Sequence, residues 1–357
     1  MNPSRNDPDA TRARNSDAAM KAVFADCRAA LPGWAGLSES DCRYQAPKGF
    51  SSFTISVEPL DSTVDPPAVL FRRLEGKENA ILEREAERDV FLTLGKEGIA
   101  AHCYFYGERY RLEEFYRGRA LTAADLRVPE VLEGIAAALA RFHRLRPASV
   151  PDQPFFSRLH QKWGGLARRV LEDQRHLFPA AEQALCEPLR EIYGEATREK
   201  VARCIPEGPL LFCHNDTYHG NIMRLDHGEI RLVDFEFSCL NHPAFDFANL
   251  FAETVVRHKQ PEYPYFRIAE PEFGEREIAT LVGHYLDHAP FETAAGRAQE
   301  QDRLVRATQD MILLSDYMYA MAALPLAVDP IQRIRFLPYA SQRFERFLRA
   351  YEARFGT

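Results

Sequence analysis

The sequence predicts an α+β protein in two lobes, a small antiparallel-sheet lobe followed by a larger, mostly helical one. Three observations carry that expectation. A chain of 357 residues exceeds what one hydrophobic core usually organises. Its first third reads strand, strand, helix, strand, strand, the order of a sheet covered on one face. From about residue 120 onward helical periodicity takes over and strands become rare.

The elements follow in order. Residues 1–17, MNPSRNDPDATRARNSD, have no apolar h-region and read as a disordered leader, not a signal peptide. The small lobe is expected over 18–117. It opens with SDAAMKAVFADCRAAL (16–31), whose apolar spacing suits a short amphipathic helix. YQAPKGFSSFTISVE (44–58) alternates after a Gly-Ser turn, and AVLFRRL (68–74) follows a Pro-rich hairpin region. ENAILEREAERDVFLTLGKEG (78–98) has helical periodicity and closes on Gly98, a C-cap signal. HCYFYG (102–107) and YRLEEFY (110–116) read as two further strands across a tight turn.

The large lobe is expected over 118–357. TAADLRVPEVLEGIAAALARFHRL (122–145) is strongly helical, as are 157–176, 181–202, 275–288, 298–323 and 339–354. The strands expected there are LLFCH and IRLVDF, forming a hairpin-like insertion.

Composition excludes several classes. A net charge of -7 argues against a nucleic-acid protein, whose domain is usually basic. No run of about 18 apolar residues exists, so no transmembrane helix is expected and the chain reads as cytoplasmic. The seven cysteines (Cys27, Cys42, Cys103, Cys186, Cys204, Cys213 and Cys239) form no CxxC pair. They read as buried free thiols, neither a disulfide framework nor a zinc site.

The chemistry concentrates in LLFCHNDTYHGNIMRLDHGEIRLVDFEF, residues 210–237. Polar side chains packed between two apolar strands must be solvated or partnered. Phosphoryl transfer from ATP needs a carboxylate to orient the attacking hydroxyl, and oxygen ligands to hold Mg²⁺ on the phosphates. Asp216 and Asn221 have the D-x-x-x-x-N spacing of that chemistry, and Asp234 begins DFE at the end of IRLV. An Asn carbonyl and an Asp carboxylate suit a hard, octahedral Mg²⁺. His214, two residues before Asp216, reads as a brace for the loop. No Walker loop and no GxGxxG occurs, which weighs against P-loop and Rossmann enzymes.

HNDTYHGNI and LVDFEFSCLNHPAFDFANLFAE together resemble the two signatures of the choline/ethanolamine kinase family, within the wider aminoglycoside-phosphotransferase-like, protein-kinase-like kinases. These motifs cover residues 213–253, and weaker likeness, including EYPYFR (262–267) and ASQRFERFL (340–348), runs from about residue 45 to 350. The resemblance implies a kinase-like fold with a nucleotide cleft between lobes, and ATP and Mg²⁺ as cofactors. It implies Asp216 as the base, Asn221 and Asp234 as metal ligands, and Glu236 as support for the metal shell or loop. Asp246 would brace the catalytic loop, as would Asn241. In the small lobe, Arg73 matches the cation that meets the ATP phosphates, with Arg72 as its competitor, and Glu87 the helix carboxylate that holds it. Backbone groups of Glu114 and Phe115 would meet adenine. PKGFSS (47–52) stands where the family has its Gly-rich loop, with backbone amides around Gly49, Ser51 and Ser52 available as an anion nest.

For the acceptor, Glu253 matches the family's acidic residue near the substrate cation, and Tyr218 stands where a Gln is common. LLSDYMYAMAAL (313–324) lies where the family carries two cage tryptophans, and offers Asp316, Tyr317 and Tyr319 instead. The only tryptophans are Trp34 and Trp163. A cation is held by aromatic faces and a carboxylate. A protonated amine that donates hydrogen bonds to Asp316 and Glu253 suits such a pocket at least as well as choline. The expected partner is therefore a small amino alcohol, with no nucleic acid, no membrane insertion and a homodimer as a further expectation. An aminoglycoside or other hydroxyl acceptor is the alternative, as is a non-catalytic kinase-like nucleotide binder. DFE in place of D-F-G, with no A-P-E after it, argues against a protein kinase.

Overall fold

A computed structural model describes residues 8–45, 53–74, 83–258, 260–288, 293–328 and 334–356. The chain divides into two compact units, Met1–Glu78 with Leu92–Arg117, and Asn79–Phe91 with Gly118–Thr357.

The first unit opens with helix α1 (Pro8–Ala30). The helix thus begins at Pro8, inside the stretch expected as a disordered leader. Ala and Arg, both good helix formers, recur through it, and Pro8 suits a first helical position. Val23, Phe24 and Cys27 of α1 bury against Trp34, Val57, Phe71 and Leu112 in one core. Trp34 satisfies its indole N–H on the Pro66 carbonyl at 2.9 Å.

The strands are β1 (Cys42–Gln45), β2 (Thr54–Pro59), β3 (Val69–Arg73), β4 (Cys103–Tyr106) and β5 (Tyr110–Glu114), with α2 (Arg84–Lys96) between β3 and β4. They form an antiparallel sheet in the order β1-β2-β3-β5-β4. The 44–58 stretch is two paired segments of chain, Gln45 lying opposite Ser56. On β3, Phe71 stacks on Tyr110 of β5 with ring centroids 5.0 Å apart, a cross-strand aromatic pair that holds the sheet's register.

In the second unit come β6 (Gly118–Ala120), α3 (Pro129–His143), α4 (Phe155–Arg168), the single turns α5 (Ala180–Gln183) and α6 (Cys186–Leu189), and α7 (Glu195–Cys204). The helix expected over 181–202 is thus broken, with Pro188 inside α6 and Gly194 extended at the start of α7. Next are β7 (Leu211–Cys213), β8 (Ile222–Leu225), β9 (Ile230–Leu232), β10 (Cys239–Asn241), α8 (Ala244–Ala252), β11 (Val256–His258) and β12 (Phe266–Ile268). Long helices close the chain: α9 (Glu275–Leu286), α10 (Ala294–Leu326) and α11 (Phe336–Phe355).

The two strands read from the sequence as one hairpin do not pair with each other. β7 pairs with β10, and β9 with β8, which also pairs with β6. Residues 214–221 therefore bridge two small sheets, so both ends of the loop are anchored separately. Phe142 of α3 reinforces this, stacking on Phe212 of β7 at 4.7 Å and on Phe235 just past β9 at 5.7 Å. All seven cysteines are free, and all but Cys103 are buried. Among the described residues no helix is long and apolar enough to cross a membrane.

Candidate active site

The loop after β7 is built around the buried carboxylate of Asp246, in the first turn of α8. Its oxygens accept the backbone N–H groups of His214 (2.8 Å) and Asn215 (2.7 Å), and face His143 Nε2 at 2.9 Å. Thr217 donates its hydroxyl to the Asp246 carbonyl at 2.5 Å. Two main-chain donors on one carboxylate set the turn whatever the neighbouring side chains are. Asn215 takes φ 64, a left-handed conformation that Asn tolerates better than most residues. Its amide donates to the carbonyls of Cys213 (3.2 Å), Phe237 (3.0 Å) and Cys239 (3.3 Å), and its Oδ1 accepts from Asn241 at 2.8 Å. Asn241 thus supports the loop through Asn215.

His143, Cys213 and Asp246 place ligand-type atoms within 4.8 Å of one another. They are not arranged as a metal set. Cys213 donates its thiol to the Asn241 carbonyl at 3.3 Å, and burial pushes that thiol's pKa well up, so it stays protonated. His143 is held between Asp246 and the Tyr285 hydroxyl, 3.0 Å from its Nδ1.

Asp216 is the focus of the loop. Asn221 donates its amide to Asp216 Oδ2 at 2.7 Å and to the Asp216 carbonyl at 2.9 Å. The Tyr319 hydroxyl, from α10, donates to Oδ1. Burial raises the Asp216 pKa well above the usual carboxylate range; the Tyr319 bond opposes this, while the charges of Asp234 and Glu236 add to it. His214 Nδ1 accepts the Asp216 N–H at 3.3 Å, which leaves Nε2–H to donate to the Val233 carbonyl at 3.0 Å. Burial lowers the pKa of this ring, keeping it neutral. On the other side, Val233 N–H donates to the Asn221 carbonyl at 3.0 Å, which sets Asp234 beside Asn221. Asp234 itself takes φ 68, a strained value for a carboxylate residue. Tyr218 is half-buried with its ring over Gly220, where a Cβ would stand 2.3 Å from Cε2. Only Gly fits beneath that ring.

The acceptor side departs from expectation. Glu253 and Asp316 are not open to a substrate cation. Both are paired with the fully buried Arg343, Nη2 lying 2.6 Å from Glu253 Oε1 and Nε 2.6 Å from Asp316 Oδ1, the latter out of line for a hydrogen bond. Ser315 donates to Glu253 Oε1 at 2.9 Å, and Arg346 reaches Asp316 at 3.4 Å. Burial works against the charge of Arg343, but Asp316 and Glu253 outweigh it and hold the guanidinium protonated. Tyr317 is also corrected. Its hydroxyl faces the ring of His160 at 3.1 Å and the Ile192 carbonyl at 3.5 Å, because positions two apart on a helix point to opposite sides. Tyr319 does reach the loop, as a donor to Asp216, and Arg343 lies over its ring at 5.1 Å.

In the first unit, Arg73 ends β3 with its guanidinium over the Phe53 ring at 4.4 Å. Arg72, the competing cation, pairs with Glu113 at 3.2 Å. Glu114 donates its N–H to the His102 carbonyl at 2.8 Å, which removes that amide from the set offered to a nucleotide; Phe115 follows half-buried. Glu87 is a buried residue of α2, in the half assigned to the second unit. Gly49, Ser51 and Ser52 lie outside the described residues.

A family model for choline/ethanolamine kinase matches residues 48–348. The chain belongs to the choline/ethanolamine kinase family. A human choline/ethanolamine kinase is 26% identical over 344 residues, 89% of this chain and 83% of that one. A choline kinase structure from Cryptosporidium parvum superposes with TM-score 0.72 at 21% identity, covering 93% of this chain and 95% of the other. An ADP-bound aminoglycoside phosphotransferase gives 0.52 at 11% identity, covering 87% and 94%. The fold is protein-kinase-like, and this family member is a small-molecule kinase acting on a hydroxyl group.

Sequence reasoning missed four contributors to the kinase's site. Arg343 was visible as a lone cation on the apolar face of α11 between Tyr339 and Phe347, a position where a buried charge demands partners. His143, ending α3, sits likewise on a helix's buried face. Asn215 and Gly220 lie inside the quoted motif, where their types, left-handed-tolerant and side-chain-free, were the available signal.

Proposed function

We propose that this kinase transfers the terminal phosphoryl group of ATP, with Mg²⁺, to the hydroxyl of a small amino alcohol. The observation that carries the proposal is the Asp216 carboxylate, buried and held at both oxygens by Asn221 and Tyr319. A carboxylate so fixed orients one hydroxyl rather than sampling many, which is the main contribution a protein makes to this reaction.

The residues present fit Mg²⁺. Asn221 uses its amide nitrogen on Asp216, so Oδ1 is the atom left to meet a cation. Asp234 supplies an anionic oxygen beside it, and the mutual repulsion of Asp216, Asp234 and Glu236 is what a divalent ion relieves. When bound, Mg²⁺ offsets phosphate charge. Asp216 then holds the acceptor hydroxyl and takes its proton, while His214, Asn241 and Asp246 keep the loop in place and Glu236 supports the ligand pair. Arg73 clamps the phosphates through its bidentate fork. Phe115 offers backbone to adenine. Tyr218 borders the acceptor.

Because Arg343 and Arg346 together offset Glu253 and Asp316, the acceptor's amine is not selected by a surplus of negative charge on those two residues. Family membership supports the amino alcohol instead. The test is coupled ADP release with ATP and Mg²⁺ across choline, ethanolamine, N-methylated ethanolamines and several aminoglycosides, repeated in EDTA. Turnover with an amino alcohol that EDTA abolishes is the expected result. Turnover confined to aminoglycosides would overturn the acceptor, and full turnover in EDTA would overturn the metal.

A further inference from the structure

A second cavity of about 880 Å³ lies in the helical unit between α4 and α7. It is not the catalytic centre. His160, on its wall, meets the Tyr317 hydroxyl from α10, whereas Tyr319 leaves the opposite side of that helix for Asp216. The volume falls within the range of small-molecule sites, about 300–1,000 Å³.

Two independent features say what it holds. The first is charge. Arg168 and Arg198 line the cavity, and among the described residues no Asp or Glu does. The partner of Arg198 is Glu195, an i,i+3 pair with the two side chains 49% and 71% exposed. Such a pair contributes little and exchanges readily for a better anion. Arg168 lies over the Tyr193 ring at 5.2 Å, which orients its fork; Glu172, which accepts the Tyr193 hydroxyl at 2.8 Å, also feels its charge. Gln161 and His160 add neutral polar groups, above an apolar floor that includes Phe156 and Val201. His160 is kept neutral, its pKa lowered to about 4 by burial and then by Arg198.

The second feature is space. Gly164 and Gly165 are consecutive residues inside α4, and both face the cavity. A Gly inside a helix is less favourable than Ala at the same position. Packing does not require either glycine, since a Cβ on Gly165 would meet nothing within 4 Å and one on Gly164 only Tyr193 Cβ at 4.0 Å. What the two absent side chains preserve is the open volume beside the arginines.

We propose that this cavity is a second small-molecule site of the kinase, taking an anion that carries a phosphate group. Arg168 and Arg198 bind the phosphate oxygens, and the apolar floor takes the remainder of the ligand.

Calorimetric titration of the full chain, without nucleotide, tests this with glycerol 3-phosphate as the probe. Four chains are compared: wild type, Gly165→Leu, Arg168→Gln/Arg198→Gln and Asp234→Asn. Wild type and Asp234→Asn are expected to bind alike, and the other two at least about tenfold more weakly. Gly165→Leu fills the cavity with a better helix former, so its melting temperature should match or exceed that of wild type, separating lost binding from lost fold. No binding to wild type up to about 10 mM would overturn the proposal. So would equal affinity in all four chains, or a loss confined to Asp234→Asn, which would put the anion in the catalytic centre.

Discussion

The loop His214–Asn221 and the facing surfaces of α10 and α11 both bury charge, by different means. In the loop the receiving carboxylate, Asp246, is filled by main-chain N–H groups. At the α10–α11 face, Glu253, just past α8, and Asp316 of α10 are answered by one guanidinium, Arg343 of α11. Backbone donors persist whatever side chain the loop carries. A side-chain cation does not survive its own replacement. The loop should therefore tolerate loss of its reactive group without unfolding, whereas the helix pair should not tolerate loss of Arg343.

The largest effect expected is at the loop. Asp216→Ala should lower turnover by roughly 10³-fold or more, because it removes hydroxyl orientation and proton acceptance together. Its melting temperature should stay near wild type, since the Asp246 scaffold is untouched. ADP release beside a thermal melt checks both halves, and near wild-type turnover would remove Asp216 as the base. Next in size is Arg343→Met, which strands two buried carboxylates. Such a break costs about 3–5 kcal/mol in urea unfolding. Adding Glu253→Gln and Asp316→Asn should recover much of it. If the triple variant is no more stable than Arg343→Met, the loss comes from packing around the long side chain and not from charge.

That contrast also explains what the sequence disclosed. Asp216, Asn221 and Asp234 stand out in the sequence because they share short spacings within one strand–loop–strand stretch, and there Asn221 does bond Asp216. Even there the strand partners were not legible. β7 and β9 look like a hairpin, but each finds its neighbour elsewhere, since pairing depends on chain reversals that local alternation does not encode. On α10 the residue types were read correctly and their directions were not. Tyr317 and Tyr319 are equivalent by composition, and only the placement of α4, α8 and α11 around α10 decides which of them meets Asp216. The charge balance failed for the same reason: the net sign of a pocket needs every charge that faces it, and Arg343 enters from a segment whose sequence shows no link to Glu253.

Tyr319→Phe should have a middling effect. It keeps the aromatic face and deletes the hydroxyl that holds Asp216 Oδ1, so kcat should fall about tenfold with little change in KM for the acceptor. Tyr319→Leu, which removes the face as well, separates the two roles. If Phe is silent and Leu raises KM, Tyr319 serves as a cage wall and not as a support for Asp216.

The smallest effect belongs to Tyr317→Phe, the control that gives the Tyr319 result its meaning. Tyr317 is fully buried, and its hydroxyl bonds His160 on the far side of α10 from Asp216. Deleting that hydroxyl leaves the ring packing against Phe347 intact, centroids 5.4 Å apart. It also leaves His160, which borders the second cavity and can turn to water, without its partner. The cost should be about 1 kcal/mol in urea unfolding, with turnover within about twofold of wild type. Two tyrosines on one helix, two residues apart, would then separate stability from turnover. Equal losses of kcat at both positions would mean that α10 moves as a unit against the loop, and that the two faces of this helix are not independent.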